Sequence, residues 1–345
     1  MSPMSETLFA KACRGVPVDS VPVWLMRQAG RYMPEYQRLR DKGDFLTICQ
    51  DPALASQATL EAVEYLGVDA AIIFSDIMLP AAAMGLNLEF SPGPRIEPAV
   101  QSDAAVRSLK TIDPERDLGF VLEAIRRTRS ALPTDKSLIG FVGAPLTLSG
   151  YMVEGAPTPL WLRLKGMLSA TPDRAHAMLA RVADAVAAHA AAQVKAGCDA
   201  IQLFDTTAGD LAEEHLIEFA FRYARDVIEQ LKPLGVPIIY FARRIGAHLD
   251  LAADLGADVL GLDWTVSVAN ARRIVGDRVA LMGNLDPAVL LTDEQTIESE
   301  VIRILGEADG MNGFVFNLGH GVLPATPPAH ARHLVEVVHA HGRRP

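Results

Sequence analysis

Cysteine is scarce in this 345-residue chain, with only Cys13, Cys49 and Cys198 present. An odd number with no C-x-x-C or H-x-C spacing indicates neither a disulfide framework nor a zinc site. Long apolar runs are missing as well. None approaches the roughly 20 residues that a membrane-crossing helix needs, and residues 1–12 lack the basic-then-apolar pattern of a secretory signal. The expectation is a cytoplasmic protein with no membrane partner. No G-x-G-x-x-G follows any apolar run, which removes the commonest reason to prefer a doubly wound open sheet. Basic residues are outnumbered, 32 Lys and Arg against 42 Asp and Glu, for a net charge of −10. A nucleic-acid partner selects a basic face, so none is expected.

What is present is a globular composition, 50% hydrophobic and 21% charged. The length fits one domain over 1–345, because α/β barrels routinely run past 200 residues as a unit. Apolar runs near residue 23 and over 70–74, 138–142, 200–204, 237–241, 259–262, 279–282 and 314–318 read as strands buried on both faces. Helical patterns alternate with them. Asp51-Pro52, Asp113-Pro114, Thr171-Pro172 and Thr326-Pro327 read as helix starts, and Thr292-x-x-Gln295 as a capping box. Four strands follow related turns, at Gly67, Gly197, Gly256 and Gly276. Eight strands alternating with helices predict a single closed (β/α)8 barrel, a TIM barrel. The Pro- and Gly-rich stretch 86–100 predicts a small hairpin-like excursion after the second strand.

Candidate functional residues sort by position. Arg27, Asp76, Gly143, Thr206 and His320 all fall just beyond the C-terminal end of a predicted strand, where barrels build their active sites. Arg27 and Arg31 share one loop, and two guanidinium forks beside Gly30 read as a clamp for carboxylate or phosphate. A few arginines in a cleft outweigh distant surface carboxylates, since salt screens charge over roughly 8 Å. Each residue also has a plainer reading: Arg27 and Arg31 as surface ion pairs with Glu35 or Asp41, Asp76 as a helix cap, Tyr151 as a packed ring at the end of a loop. Thr206 could bond only its own loop, whereas His320 between two glycines has room beside a ligand.

Met26 to Tyr32 reads M-R-Q-A-G-R-Y, residues 73–77 I-F-S-D-I, and 143–148 G-A-P-L-T-L. Residues 151–155 read Y-M-V-E-G, 261–266 G-L-D-W-T-V, 283–287 G-N-L-D-P and 317–321 N-L-G-H-G. In this order the stretches resemble the uroporphyrinogen decarboxylase family along nearly the whole chain. The resemblance implies a cofactor-free, metal-free and usually homodimeric barrel that converts the four acetate side chains of uroporphyrinogen III to methyls, giving coproporphyrinogen III. It matches Arg27, Gln28, Ala29, Gly30 and Arg31 to the family's substrate-binding arginine segment. Asp76 matches the central aspartate that binds the pyrrole N–H groups, and Tyr151, Thr206 and His320 match further substrate contacts. Asp76 and Arg27 are the residues expected to carry the chemistry, Arg27 as a candidate proton donor. The chain departs from the family at Leu146, where tryptophan is common, at Thr206-Thr207, and at Arg243, where lysine is common. A zinc-dependent methyltransferase of similar fold would need His/Cys ligands where Phe241-Ala242-Arg243 stands. A non-catalytic tetrapyrrole carrier would gain nothing from Asp76.

Overall fold

The computed structural model describes residues 7–90 and 93–344. Nine strands occur among them: β1 (Ala70–Ile72), β2 (Asn87–Phe90), β3 (Pro94–Glu97), β4 (Ser137–Gly143), β5 (Ala200–Asp205), β6 (Ile238–Ala242), β7 (Val259–Gly261), β8 (Ala280–Leu285) and β9 (Phe314–Leu318). Seven form one parallel sheet in the order β1-β4-β5-β6-β7-β8-β9. The eighth predicted strand is present only as a thin seam. Segment 22–24 makes a single parallel bridge, Val23 to Phe316, with backbone bonds from Phe316 N to Pro22 O (2.8 Å) and from Trp24 N to Phe316 O (3.3 Å). On its other side Asp69 N donates to Val23 O (2.8 Å), while Val23 N donates to the Asp69 carboxylate (2.8 Å). These bonds close the sheet into a barrel.

The strands are apolar on both faces because both faces are covered. Ala70, Ile72, Ile139, Ala200, Ile239 and Met282 meet inside the barrel. Their sequence neighbours, such as Ala71, Leu138, Ile201 and Leu281, pack outward beneath the helices, as the two-residue period of a strand requires. The helix Leu8–Cys13 contributes Phe9, Ala12 and Cys13 to the inner cluster and plugs one end. The opposite end, at the strand C-termini, remains for a ligand.

Helix starts follow the expected chemistry in part. Asp51 accepts from Ala53 N and Leu54 N, Pro52 follows it, and Gly67 at φ 76° ends the helix. The capping box expected at Thr292 moves one residue on: Asp293 accepts from Thr296 N, while Thr292 donates back to Val289 O. Thr171 precedes the long helix Pro172–Ala196, but its hydroxyl donates to Met167 O of the preceding turn rather than capping forward. Asp113 opens only the four-residue helix Pro114–Asp117, with no side-chain cap. Tyr151, expected in a loop, lies on the helix Pro145–Glu154.

β2 and β3 pair antiparallel, with buried Leu88 opposite buried Ile96. Backbone bonds from Ile96 N to Gly155 O and from Val100 N to Met152 O (both 2.8 Å) tie this hairpin to the end of the Tyr151 helix.

Candidate active site

The arginine loop issues from the seam and is held by buried polar groups. Asn317 on β9 accepts from Met26 N (3.0 Å), and Val322 N donates to Met26 O (2.9 Å). Gln28 is wholly buried, its Oε1 accepting from Leu25 N and its Nε2 donating to Ala70 O, both at 3.2 Å. Its side chain is thereby committed to the wall of the loop. The Gln28 carbonyl accepts from the Tyr32 hydroxyl (2.8 Å), fixing the far end. Arg27 takes φ 61°, a left-handed conformation uncommon for a residue with a Cβ. Its side chain passes across Gly321, where an added Cβ would stand 2.7 Å from Arg27 Cγ and 2.9 Å from Nε. Gly30 sits beside the same turn, its missing Cβ 3.2 Å from Arg27 O, and Ala29 is half-buried.

The surface-pair reading of the two arginines does not hold among the described residues. Glu35 pairs with Arg38 (3.5 Å), and neither Arg27, Arg31 nor Arg243 makes an ion pair. Unpaired guanidiniums carry strong potential for a polyanion.

Asp76 follows β1, and Asp76 Oδ1 accepts from Met78 N (2.8 Å), so it does cap the following turn. That bond leaves Oδ2 available. Burial raises its carboxyl from 3.8 to about 6, against the opposing pull of the Met78 N–H and the Arg27 charge. Tyr151, one helix away, feels the same group: burial and then the Asp76 charge raise its phenol, while Arg27 and Arg243 oppose them. The Tyr151 ring meets Trp161 edge-on at 5.2 Å. Thr206 stands half-buried one residue past β5.

His320 follows β9 and stacks on Phe241, with centroids 6.3 Å apart and planes 20° apart. Burial, and then the Arg27 and Arg243 charges, push its imidazole down to about 4 against the pull of Asp263. It is a neutral ring at pH 7, and its buried Nδ1 has no hydrogen-bond partner among the described residues.

Shared electrostatics thus bring Arg27, Asp76, Tyr151, His320 and Arg243 to one mouth. Arg31 is exposed on the outer part of its loop, where its charge reaches Tyr36. Two features go beyond the expected set. Arg243, one residue past β6, bears on both Tyr151 and His320. A band of rings also crosses the upper barrel, Phe141 to Phe204 at 5.8 Å and Phe204 to Phe241 at 6.1 Å. Phe141 and Phe204 are the one incompletely buried residue of β4 and of β5 respectively. A phenylalanine near the end of each of three consecutive strands was the sequence signal for it. The mouth therefore offers arginine cations, the Asp76 carboxylate and an aromatic floor.

The family model for uroporphyrinogen decarboxylase (URO-D) matches residues 4–341. The uroporphyrinogen decarboxylase of Syntrophotalea carbinolica is 46% identical over 331 residues, covering 96% of each chain. That of Geobacter sulfurreducens is 45% identical over 331 residues, covering 96% of this chain and 97% of the relative. Among solved structures, a methyltransferase from Methanosarcina mazei superposes with a TM-score of 0.77 at 21% identity over 96% of this chain and 98% of its own. A B12-independent methionine synthase from Shewanella superposes with a TM-score of 0.56 at 10% identity, over 84% of this chain and 86% of its own. Both likenesses are of fold.

Proposed function

The chain belongs to the uroporphyrinogen decarboxylase family, and from that premise we infer that it decarboxylates uroporphyrinogen in tetrapyrrole biosynthesis, taking the four acetates of the III isomer to methyls without a metal or organic cofactor. What supports this reading is the Asp76 carboxylate, which feels the charge of Arg27 and acts on Tyr151, beside arginines that make no ion pair among the described residues. A carboxylate repels a polyanionic substrate, so its presence asks for a reaction that makes a cation.

Loss of carbon dioxide from an acetate leaves an electron pair that needs a sink. Protonating a pyrrole ring carbon supplies one, and the protonated pyrrole is cationic. Asp76, hydrogen-bonded to the inner pyrrole N–H groups, would stabilise that charge as it develops. Preorganised electrostatics of this kind is commonly the largest catalytic contribution. Arg27, Arg31, Tyr151, Thr206 and His320 bind the peripheral carboxylates, each charge-assisted contact contributing about 1.5 to 3 kcal/mol. Ala29 and Gly30 let the ligand approach the loop, and Gln28 holds its shape. Arg27, the cation acting directly on Asp76, is the candidate proton donor. The phenylalanine band offers the macrocycle an apolar floor.

Asp76→Asn keeps the size and one acceptor and removes the charge. The expected result is a kcat lower by roughly 10² to 10³ with KM changed much less. Steady-state kinetics on the first decarboxylation, with circular dichroism to confirm folding, make the test. A near-normal kcat would reduce Asp76 to a cap.

A further inference from the structure

Behind the mouth, on the outer face of the sheet, lies another carboxylate, whose side-chain hydrogen bonds among the described residues go to none of those proposed to bind substrate. Asp205, the last residue of β5, is wholly buried and accepts two hydroxyl bonds: Thr147 Oγ1 donates to its Oδ1 (2.7 Å), and Tyr240 OH donates to its Oδ2 (3.0 Å). Thr147 Oγ1 in turn accepts from Thr207 N (3.2 Å). All four residues are buried.

Each partner belongs to a different part of the site. Thr147 lies on the helix Pro145–Glu154, one turn before Tyr151, so the two are stacked along the same side of that helix. Thr207 is next to Thr206. Tyr240 lies on β6, three residues before Arg243. The loop after β5 also presses on the loop after β6: an added Cβ at Gly209 would come within 2.8 Å of the Arg244 carbonyl carbon. A buried carboxylate is costly, and one whose two oxygens each take a hydroxyl from a different element is suited to fixing those elements in register.

We propose that Asp205 is a positioning residue which, through Thr147, Thr207 and Tyr240, sets the mutual placement of Tyr151, Thr206 and Arg243 around the bound substrate. This rests on the reading of the mouth given above. Asp205 acts on binding geometry rather than on the reacting atoms.

The test uses the full chain and uroporphyrinogen, with Tyr240→Phe, Asp205→Asn, Asp205→Ala and Thr206→Ala measured for KM, kcat and thermal unfolding. Tyr240→Phe removes one hydroxyl and leaves the core filled; it is expected to raise KM roughly three- to tenfold, the range for one lost hydrogen bond, with a smaller change in kcat. Asp205→Asn can still accept from Thr147 and donate to the Tyr240 oxygen, so it should retain more substrate affinity than Asp205→Ala. Combined with Thr206→Ala, Tyr240→Phe should add less than its separate effect, because part of that effect runs through Asp205 and Thr207 to the Thr206 contact. A lower Tm with unchanged KM in Tyr240→Phe and Asp205→Asn, or full additivity with Thr206→Ala, overturns the positioning role. If Asp205→Ala does not fold, the other two variants decide. If Thr206→Ala itself leaves KM unchanged, the assignment of Thr206 to the substrate fails, a result distinct from the failure of Asp205.

Discussion

At the scale of single residues, environment decides what the letters mean. Asp76 is useful to a developing cation only when ionised, and burial has moved its carboxyl up to about 6. As pH falls through 6 the free enzyme takes up a proton there and loses the charge. The acid limb of kcat/KM, which reports the free enzyme, should therefore begin near pH 6. In Asp76→Asn that limb should be gone, leaving a lower and flatter profile between pH 5 and 7. A limb that persists unchanged in the variant would assign it to another group. The positions of Arg27, Asp76, Thr206 and His320 were legible in the sequence because strand ends are marked by where apolar runs stop. What those side chains face was not. Gln28 stands in the same motif as Arg27, yet its amide turns into the wall, and no spacing distinguishes the two outcomes. Arg243 stands out in the sequence only as a departure from the family's lysine, and the sequence gives no sign that its charge bears on His320 and Tyr151.

At the scale of elements, the site depends on loops from neighbouring strands that nearly touch. Gly209 has no room for a side chain because the backbone of Arg243 and Arg244 occupies that space. Gly209→Ala should force the two loops apart, lowering stability by about 1 to 3 kcal/mol in urea unfolding and raising KM through displaced Arg243 and Thr206. A variant with native Tm and KM would show that the loops yield without cost. The strands themselves were readable from their unbroken hydrophobic runs, with the 314–318 run matching β9 residue for residue. The seam was not, since an apolar run at Val23 reveals nothing of how few ladder bonds it will make. Helix starts were readable where a capping residue preceded proline, at Asp51 and Thr171 alike, although the Thr171 hydroxyl turns back to Met167 O instead of capping forward. At Thr292 the start lies one residue on, because that hydroxyl bonds Val289 O and Asp293 takes the cap.

At the scale of the whole molecule, acid stability carries a signature of its own. His189 on the long helix Pro172–Ala196 is buried without a partner for Nδ1 among the described residues, and burial lowers its imidazole from 6.5 to about 4. The unfolded chain then binds the proton more readily than the folded one. Stability contributed by the neutral ring is present above pH 6.5 and is lost as pH falls toward 4, by about 3 kcal/mol. Asp76 and Asp205, with folded values raised to about 6, bias stability the opposite way between 6 and 3.8. Comparing His189→Leu with the parent isolates the histidine: the parent should lose more stability between pH 6.5 and 4.5, and parallel curves would discount it. Exhaustive chelation should leave turnover intact, and activity that returns only on adding zinc would refute the metal-free reading. Sedimentation tests the homodimer that the family resemblance implies.

The seam at Val23 ties these scales together. Neighbouring strands β4 and β5 share five paired positions, whereas segment 22–24 is joined to β9 through one bridge. The arginine loop hangs from that least-fastened stave. A bound polyanion that spans from Arg27 to His320 would act as a clasp across the gap, so occupancy should reinforce the barrel where it is weakest. Hydrogen exchange offers a direct view: with product bound, the amides of Trp24 and Phe316 should slow by a larger factor than those of Ile201 to Phe204. Saturating ligand at 100 times its Kd adds about 2.7 kcal/mol to global stability. Uniform slowing of all amides would mean that the hoop was already tight before the ligand arrived.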